Sequence, residues 1–514
     1  MLSLSAERWP NSSAYQDLAV HKTYRQMLCD VDRACKATRR LECVRFERVA
    51  VWGYKSYDYV VAMIALLGSG YIVVPINPAL TSTQVEHILS DSRAVILLAD
   101  SEFIEKISHY EKGLRKVGLL QRKSTEEVPC GSNAIKFNWQ DLLQEVSDTD
   151  SAHYESIGLT DSDPCCILYT SGSTGRAKGV VLSHRNLVAG ASSVTHYLGL
   201  SQSDVVLGIL PVSFDAGLSQ LTTAILSGAS YVPVNYLIAH EVPRICERFG
   251  VTTITAVPPL WMQLIRVPWS DSSRKSVLRV ASTGGRMPFE LLQRLRTQFP
   301  KSRPYLMYGL TEAFRSTYLD PEEIDRRPDS IGKAIPNAEI LVLRPDGSDC
   351  LPDEVGELVH RGATVALGYW NDPMLTKTRF RKMAPRHEGL PGGETAVWSG
   401  DLVRADKDGF LYFVARTDDM IKTMGYRVSP TEVEEILYSS ALVSEAAVVG
   451  IENLERGQEI VAFIVASGDS FDVERLRDLC RENLPGYMQP VRYIVRDMLP
   501  RSPNGKIDRK QLRD

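Results

Sequence analysis

At 514 residues, with 44% apolar and 24% charged residues, the chain has the composition of a globular protein long enough for more than one domain. A formal net charge of −4 supplies no attraction to nucleic acid or to an anionic membrane, so neither is expected as the main partner. Nine cysteines are scattered without a C-x-x-C pair, and only Cys165 and Cys166 are adjacent. That argues against a zinc site or a disulfide framework and for a reducing cytoplasm. The opening MLSLSAERWP lacks a basic start followed by an apolar block, so no signal peptide is expected.

From Arg48 onward, VAVWGY, DYVVAMIALLGSG and YIVVPI predict a strand, helix, strand crossover onto a parallel sheet, and AVILLAD a further strand. Residues 59–85 carry no charge, but Gly68, Gly70, Pro75 and Pro78 interrupt them, which fits buried helix, turn and strand rather than a transmembrane segment. Residues 105–160 are polar and weakly patterned and are expected to be irregular connection with some helix. The apolar stretch Cys165 to Leu168 then empties into YTSGSTGRAKG. Here Thr170, Ser171, Gly172, Ser173, Thr174, Gly175 and Lys178 combine close backbone approach, hydroxyl donors and a mobile cation, a set that suits phosphate. The spacing is not that of the P-loop NTPases, because Ala177 and Gly179 flank the lysine.

SHRNLVAGASSVTHYLGL reads as a helix, and DVVLGILPVSF, ASYVPV and TTITAVPP as buried strands separated by helical segments, an alternation that predicts α/β layers. LRVASTGGRMP and PYLMYGLTEAF each join a strand to a glycine turn, and such turns collect ligands beyond the carboxyl ends of strands. Past Ser330, short alternating segments with D-G and P-D-G turns predict a β-rich subdomain. The polar stretch RTDDMIKTMG interrupts that pattern, so a boundary is placed near Asp418. It divides an N-terminal domain, 1–417, from a small α+β domain, 418–514.

Four ordered strings, YTSGSTGRAKGVVLSHRNL, YGLTE, WSGDLVRADKDGFLYFVARTDD and PRSPNGKIDR, resemble those of the adenylate-forming superfamily, which includes acyl-CoA ligases, amino-acid adenylation domains and firefly luciferase. The resemblance spans nearly the whole chain and implies ATP and Mg²⁺. It gives Tyr308 and Gly309 a place beside adenine, Thr311 the α-phosphate and Glu312 the metal, with Gly284 and Gly285 lining the nucleotide pocket. A hard cation bridging phosphates needs few protein carboxylates. By the same resemblance Asp401 accepts the ribose hydroxyls, Arg416 lies near that sugar, and Phe413 packs on the nucleotide. Asp418 falls at the hinge, Gly425 at the passage for a pantetheine thiol, and Lys506 at the lysine that reaches the α-phosphate and the substrate carboxylate. Ala177, Ser399 and Ala415 depart from the commoner proline, threonine and glycine.

For the acid being activated, Phe214 and Asp215 in LPVSFDAGLSQ resemble amino-acid adenylation domains, where the aspartate pairs with the α-ammonium. Alignment by motif puts Ala256, Thr283, Met307 and Arg315 near the substrate; Arg315 either pairs with Asp215 or receives a second acidic group. YGLTEAFRSTYL is also similar to a string in exosortase-associated acyl-CoA ligases. The expected reaction has two steps. A carboxylate attacks the ATP α-phosphate, giving an acyl-adenylate and pyrophosphate, and a pantetheine thiol of CoA or of a carrier protein then displaces AMP. A fatty or aryl acid:CoA ligase and a catalytically silent nucleotide-binding homologue are the alternatives.

Overall fold

The computed structural model describes residues 1–107, 109–110, 113–121, 134–146, 158–170, 177–236, 238–285, 287–383, 385, 389, 392–417, 419–423, 426–453, 457–468, 471–503 and 505–513. The expectations for Ser171, Gly172, Ser173, Thr174, Gly175, Asp418 and Gly425 lie outside the described residues.

The described residues build three sheets. In the first, VAVW becomes the strand Arg48–Trp52 and IVVPI the parallel strand Ile72–Ile76, joined by the helix Tyr57–Gly68. The Ser56 hydroxyl starts that helix by accepting the Tyr59 N–H. Val49 and Val51 enter one core while Ala50 and Trp52 enter another. Both faces are therefore covered, and the strand reads as continuously apolar.

Beyond Ile96–Ala99 the sheet continues through Lys116–Leu119 and Ile135–Asn138, followed by the helix Trp139–Gln144. This corrects the irregular connection expected over 105–160. Both strands have four residues, and the second stands at the sheet's edge with Ile135 exposed, so no apolar run announces it. At the opposite side Pro164–Thr170 pairs antiparallel with Lys178–Ser183, which sets Thr170 opposite Lys178.

The second sheet has a parallel centre: Ser230–Pro233, Val205–Gly208, Thr253–Ala256, Arg279–Ser282 and Arg303–Tyr308 lie side by side in that order. Antiparallel strands Thr317–Leu319 and Ser330–Ala334 carry the pairing on to Leu411–Arg416, Thr395–Ala405, Val355–Gly362 and Ala338–Leu343. The β-rich segment past Ser330 is thus continuous with the parallel strands, and Tyr308 and Asp401 share one sheet.

The third sheet begins at Ile421–Thr423, after the preceding strand ends at Arg416. Helices Pro430–Tyr438 and Val473–Asn483 pack on one face through Val433, Leu437, Leu476 and Cys480. The C-terminal tail covers the other, with Leu499 and Leu512 against Val449, Val461 and Phe463. Arg509 clamps the tail by donating to both carboxylate oxygens of buried Glu434 at 2.8 Å. No helix of the described residues is long and apolar enough to cross a membrane.

Candidate active site

The tail presents Lys506 on a tight turn. Ser502 N–H donates to the Lys506 carbonyl at 2.7 Å, Gly505 N–H to the Ser502 carbonyl at 2.8 Å, and Arg501 and Ile507 bridge antiparallel. Gly505 takes φ +78°, which favours glycine there. The turn faces the parallel sheet's glycine crossing: a Cβ on Gly284 would lie 3.5 Å from Lys506 Cε and 3.6 Å from the Phe214 ring. Gly284 itself holds φ +78°, and a Cβ on Gly285 would touch only the Pro258 ring, at 3.6 Å.

Beside this point Tyr308 donates its hydroxyl to Asp401 Oδ2. Asp401 Oδ1 is buried, faces Arg416 Nε at 3.5 Å, and accepts no hydrogen bond among the described residues. A buried carboxylate oxygen in that condition suits a hydroxyl donor such as a ribose diol. Burial pushes the Asp401 carboxyl upward while Arg416 pulls it down, and Lys506 and Glu312 are near enough for their charges to bear on it. Asp401 in turn holds the Arg416 guanidinium above its ordinary value. Tyr369 donates to Glu312 Oε1 at 2.6 Å, and Thr311, buried, opens the short turn Thr311–Ala313 that carries Glu312. A Cβ on Gly309 would come within 3.4 Å of the Arg315 backbone. Phe413 lies half-buried on the strand Leu411–Arg416, in register with Val403. Thr170 and Lys178 stand where the flanking strands of the serine- and glycine-rich loop end and begin.

On the acid side, Asp215 is the first residue of the helix Asp215–Ser227, with Oδ1 taking the Ala216 N–H at 2.7 Å. Arg315 Nη1 stands 3.9 Å from Asp215 Oδ2, both side chains almost fully buried. Arg315 and Met307 help to line a cavity of about 20 Å³, with Tyr197, Ser219, Thr253 and Thr255 among its other walls. Thr283 N–H bonds to the Ala256 carbonyl at 3.2 Å, but Ala256 packs in the core that holds Phe214. Its neighbours Thr253 and Thr255 reach the cavity instead, because side chains alternate along a strand.

Several residues at the site escaped the sequence reading. Tyr369 holds Glu312, and Tyr197 donates to Met307 Sδ at 3.0 Å. Phe314 keeps φ 53°, a value a bulky residue seldom adopts, and thereby redirects the chain into Arg315. His360, wholly buried, links Ser316 Oγ at 3.0 Å to Thr364 Oγ1 at 2.9 Å behind that turn. Burial lowers its pKa to about 3. Lys55 Nζ donates to the carbonyls of Gly208 at 2.6 Å and Leu210 at 3.0 Å, under the loop leading to Phe214, and burial lowers it to about 7. None has a local pattern that names its partner; only the presence of a polar residue inside an apolar run was available.

Gly284, the buried unpartnered oxygen of Asp401 and the tail lysine thus come together among the described residues. The AMP-binding enzyme family matches residues 2–370, and the AMP-binding enzyme C-terminal domain matches residues 432–506. The chain belongs to that family, the adenylate-forming superfamily, and is an acid–thiol ligase of the AMP-forming type. It is 30% identical over 539 residues to the long-chain-fatty-acid–CoA ligase of Yersinia pestis, covering 100% of this chain and 93% of the relative. It is also 30% identical over 518 residues to the L-proline–L-prolyl-carrier protein ligase of Pseudomonas fluorescens, covering 99% and 97%. Among solved structures, the o-succinylbenzoate CoA synthetase of Bacillus subtilis, in complex with its acyl-adenylate intermediate, matches with TM-score 0.82 and 26% identity over 100% of this chain and 97% of that one.

Proposed function

We propose that this ligase activates an amino acid with ATP and passes the aminoacyl group to the pantetheine thiol of CoA or a carrier protein. The observation that carries the activation step is the position of Lys506, near Gly284 and within electrostatic reach of Asp401; buried Asp215 beside Arg315 supports an amino acid as the substrate. A carboxylate approaching a phosphate meets like-charge repulsion. An ammonium held at that point stabilises the pentacoordinate charge as the bond to the α-phosphorus forms and pyrophosphate leaves.

In this reading Asp401 and Arg416 hold the ribose, Tyr308, Gly309, Gly284, Gly285 and Phe413 frame the base, and Thr311 with the serine- and glycine-rich loop and Lys178 hold phosphates. Glu312, oriented by Tyr369, would hold Mg²⁺, which supplies charge neutralisation on the phosphates when bound. Asp215 receives the α-ammonium beside Phe214, and Thr283, Met307 and Arg315 shape the remainder. For the thiol step the small domain, 418–514, turns about Asp418 and opens a passage at Gly425. A reducing cytoplasmic setting accords with the free cysteines among the described residues.

The similarity to a long-chain-fatty-acid–CoA ligase favours a second reading, a fatty acid:CoA ligase. The buried Asp215–Arg315 pair weighs against it, because a fatty acid brings no ammonium for that carboxylate. Exchange of labelled pyrophosphate into ATP across amino, fatty and aryl acids separates the readings. Lys506→Ala is expected to lose about 10²- to 10³-fold in exchange while still binding ATP; undiminished exchange would remove Lys506 from the chemistry.

A further inference from the structure

Arg315 stands beside the carboxylate assigned to the substrate ammonium. Its side chain is 4% exposed, and its nearest charge is Asp215 Oδ2 at 3.9 Å, too far for a hydrogen bond. Its guanidinium, with five N–H donors, has Asp215 as its ion-pair partner among the described residues. The cavity it lines also holds the buried hydroxyl of Thr253, which has no hydrogen-bond partner among the described residues. The arginine is nevertheless firmly placed. Phe314 before it is fixed in a left-handed backbone, Ser316 after it is bonded to His360, and Thr364 Oγ1 donates to its own carbonyl at 3.5 Å.

Charge balance selects what can enter. The Asp215–Arg315 pair is neutral as a unit. An α-ammonium alone would set two cations on one buried carboxylate, and the desolvated guanidinium would share Asp215, its counter-ion among the described residues. A neutral acid without an ammonium would leave the pair closed and make no use of it. A substrate bringing both an ammonium and a second anion replaces each half of the pair with one of its own groups, and the buried charge stays at zero.

We propose that the acid activated is a short aminodicarboxylic acid, with its α-ammonium on Asp215 and its side-chain carboxylate on Arg315. The planar fork of arginine matches a carboxylate bidentately, and the 3.9 Å between Arg315 Nη1 and Asp215 Oδ2 sets the two charges close enough for a short side chain to reach both. This inference rests on the reading of the chain as an amino-acid-activating ligase and adds the identity of the second group.

The test is pyrophosphate exchange by the full-length protein with aspartate, glutamate, asparagine, alanine, proline, succinate, octanoate and benzoate. Aspartate or glutamate is expected to exceed asparagine and the neutral amino acids by about 10²-fold or more in kcat/KM. Arg315→Gln should reverse the preference of aspartate over asparagine with the KM for ATP retained, and Arg315→Lys should keep that preference. Alanine or proline outrunning both acidic amino acids would overturn the second anion and leave amino-acid activation standing. An acidic preference untouched by Arg315→Gln would overturn the assignment of Arg315. Exchange confined to succinate, octanoate or benzoate, or silence across the panel, would overturn both readings.

Discussion

Asn77 donates its side-chain amide to the carbonyl of Pro503 at 3.1 Å, although 426 positions separate them in sequence. Asn77 follows the strand Ile72–Ile76, is buried, and has its Oδ1 occupied by the Ala79 N–H at 3.0 Å, so the carboxamide is already aimed. The bond joins the first sheet to the turn that carries Lys506.

If the tail docks there only for acyl-adenylate formation, the bond contributes to one half-reaction and not the other. Asn77→Ala is therefore expected to lower pyrophosphate exchange about fivefold, the worth of a single hydrogen bond of about 1 kcal/mol. Thioester formation from supplied acyl-adenylate should be unchanged. Equal losses in both half-reactions would count against a docking role.

Tyr369 fixes one oxygen of Glu312 at 2.6 Å, leaving the carboxylate oriented before any cation arrives. Groups that orient a metal ligand commonly matter about 10- to 100-fold in metal affinity. Tyr369→Phe removes the hydroxyl with little change of shape and should raise the Mg²⁺ concentration for half-maximal exchange by about tenfold. A Mg²⁺ titration identical to that of the unaltered protein would remove Tyr369 from the orientation of Glu312.

Apolar runs bounded by glycine and proline made the parallel strands legible, as in Arg48–Trp52 and Ile72–Ile76, because burial on both faces leaves an uninterrupted hydrophobic string. Lys116–Leu119 and Ile135–Asn138 were not legible: both have four residues, and the second, at the sheet's edge, needs little apolar sequence. At the site, the strings around Lys506, Glu312 and Asp401 were conspicuous as text. Tyr369, Tyr197 and His360 were not, for their meaning lies in partners far along the chain: Glu312, Met307 and Ser316. Ala256 illustrates a finer limit. The strand Thr253–Ala256 divides its side chains, Thr253 and Thr255 toward the cavity and Ala256 toward the core that holds Phe214, and packing rather than the local string sets that division.

His360 gives a prediction in pH. Burial holds its folded pKa near 3 against an ordinary 6.5, so between those values the unfolded chain binds a proton that the folded one does not. Its contribution is complete above about pH 6.5 and is lost as pH falls, by about 1.4 kcal/mol per pH unit across the window. His360→Gln retains hydrogen-bonding capacity between Ser316 and Thr364 but cannot titrate. Denaturant midpoints measured from pH 7 to pH 4.5 should fall less steeply for the variant. Parallel acid limbs would show that His360 already gains its proton in the folded protein.

Gly190 lies inside the helix His184–Leu198, where a Cβ would stand 2.4 Å from Phe314 Cδ1 and 2.6 Å from Cε1. The ring is fully buried, and its residue carries the unusual φ of 53° that turns the chain toward Arg315. The missing side chain at 190 therefore makes room for the ring on which the direction of that turn depends. Gly190→Ala should destabilise the protein by overpacking, by about 1–3 kcal/mol in denaturant unfolding. It should also raise the KM for the acid more than that for ATP, since Phe314 immediately precedes Arg315, whereas the Asp401–Arg416 pair lies on the strands Thr395–Ala405 and Leu411–Arg416. Trimming the ring in the pair Gly190→Ala and Phe314→Leu should recover part of the stability. If instead KM for ATP rises as much as KM for the acid, the ring does not serve the acid site selectively, and Gly190 matters only for packing.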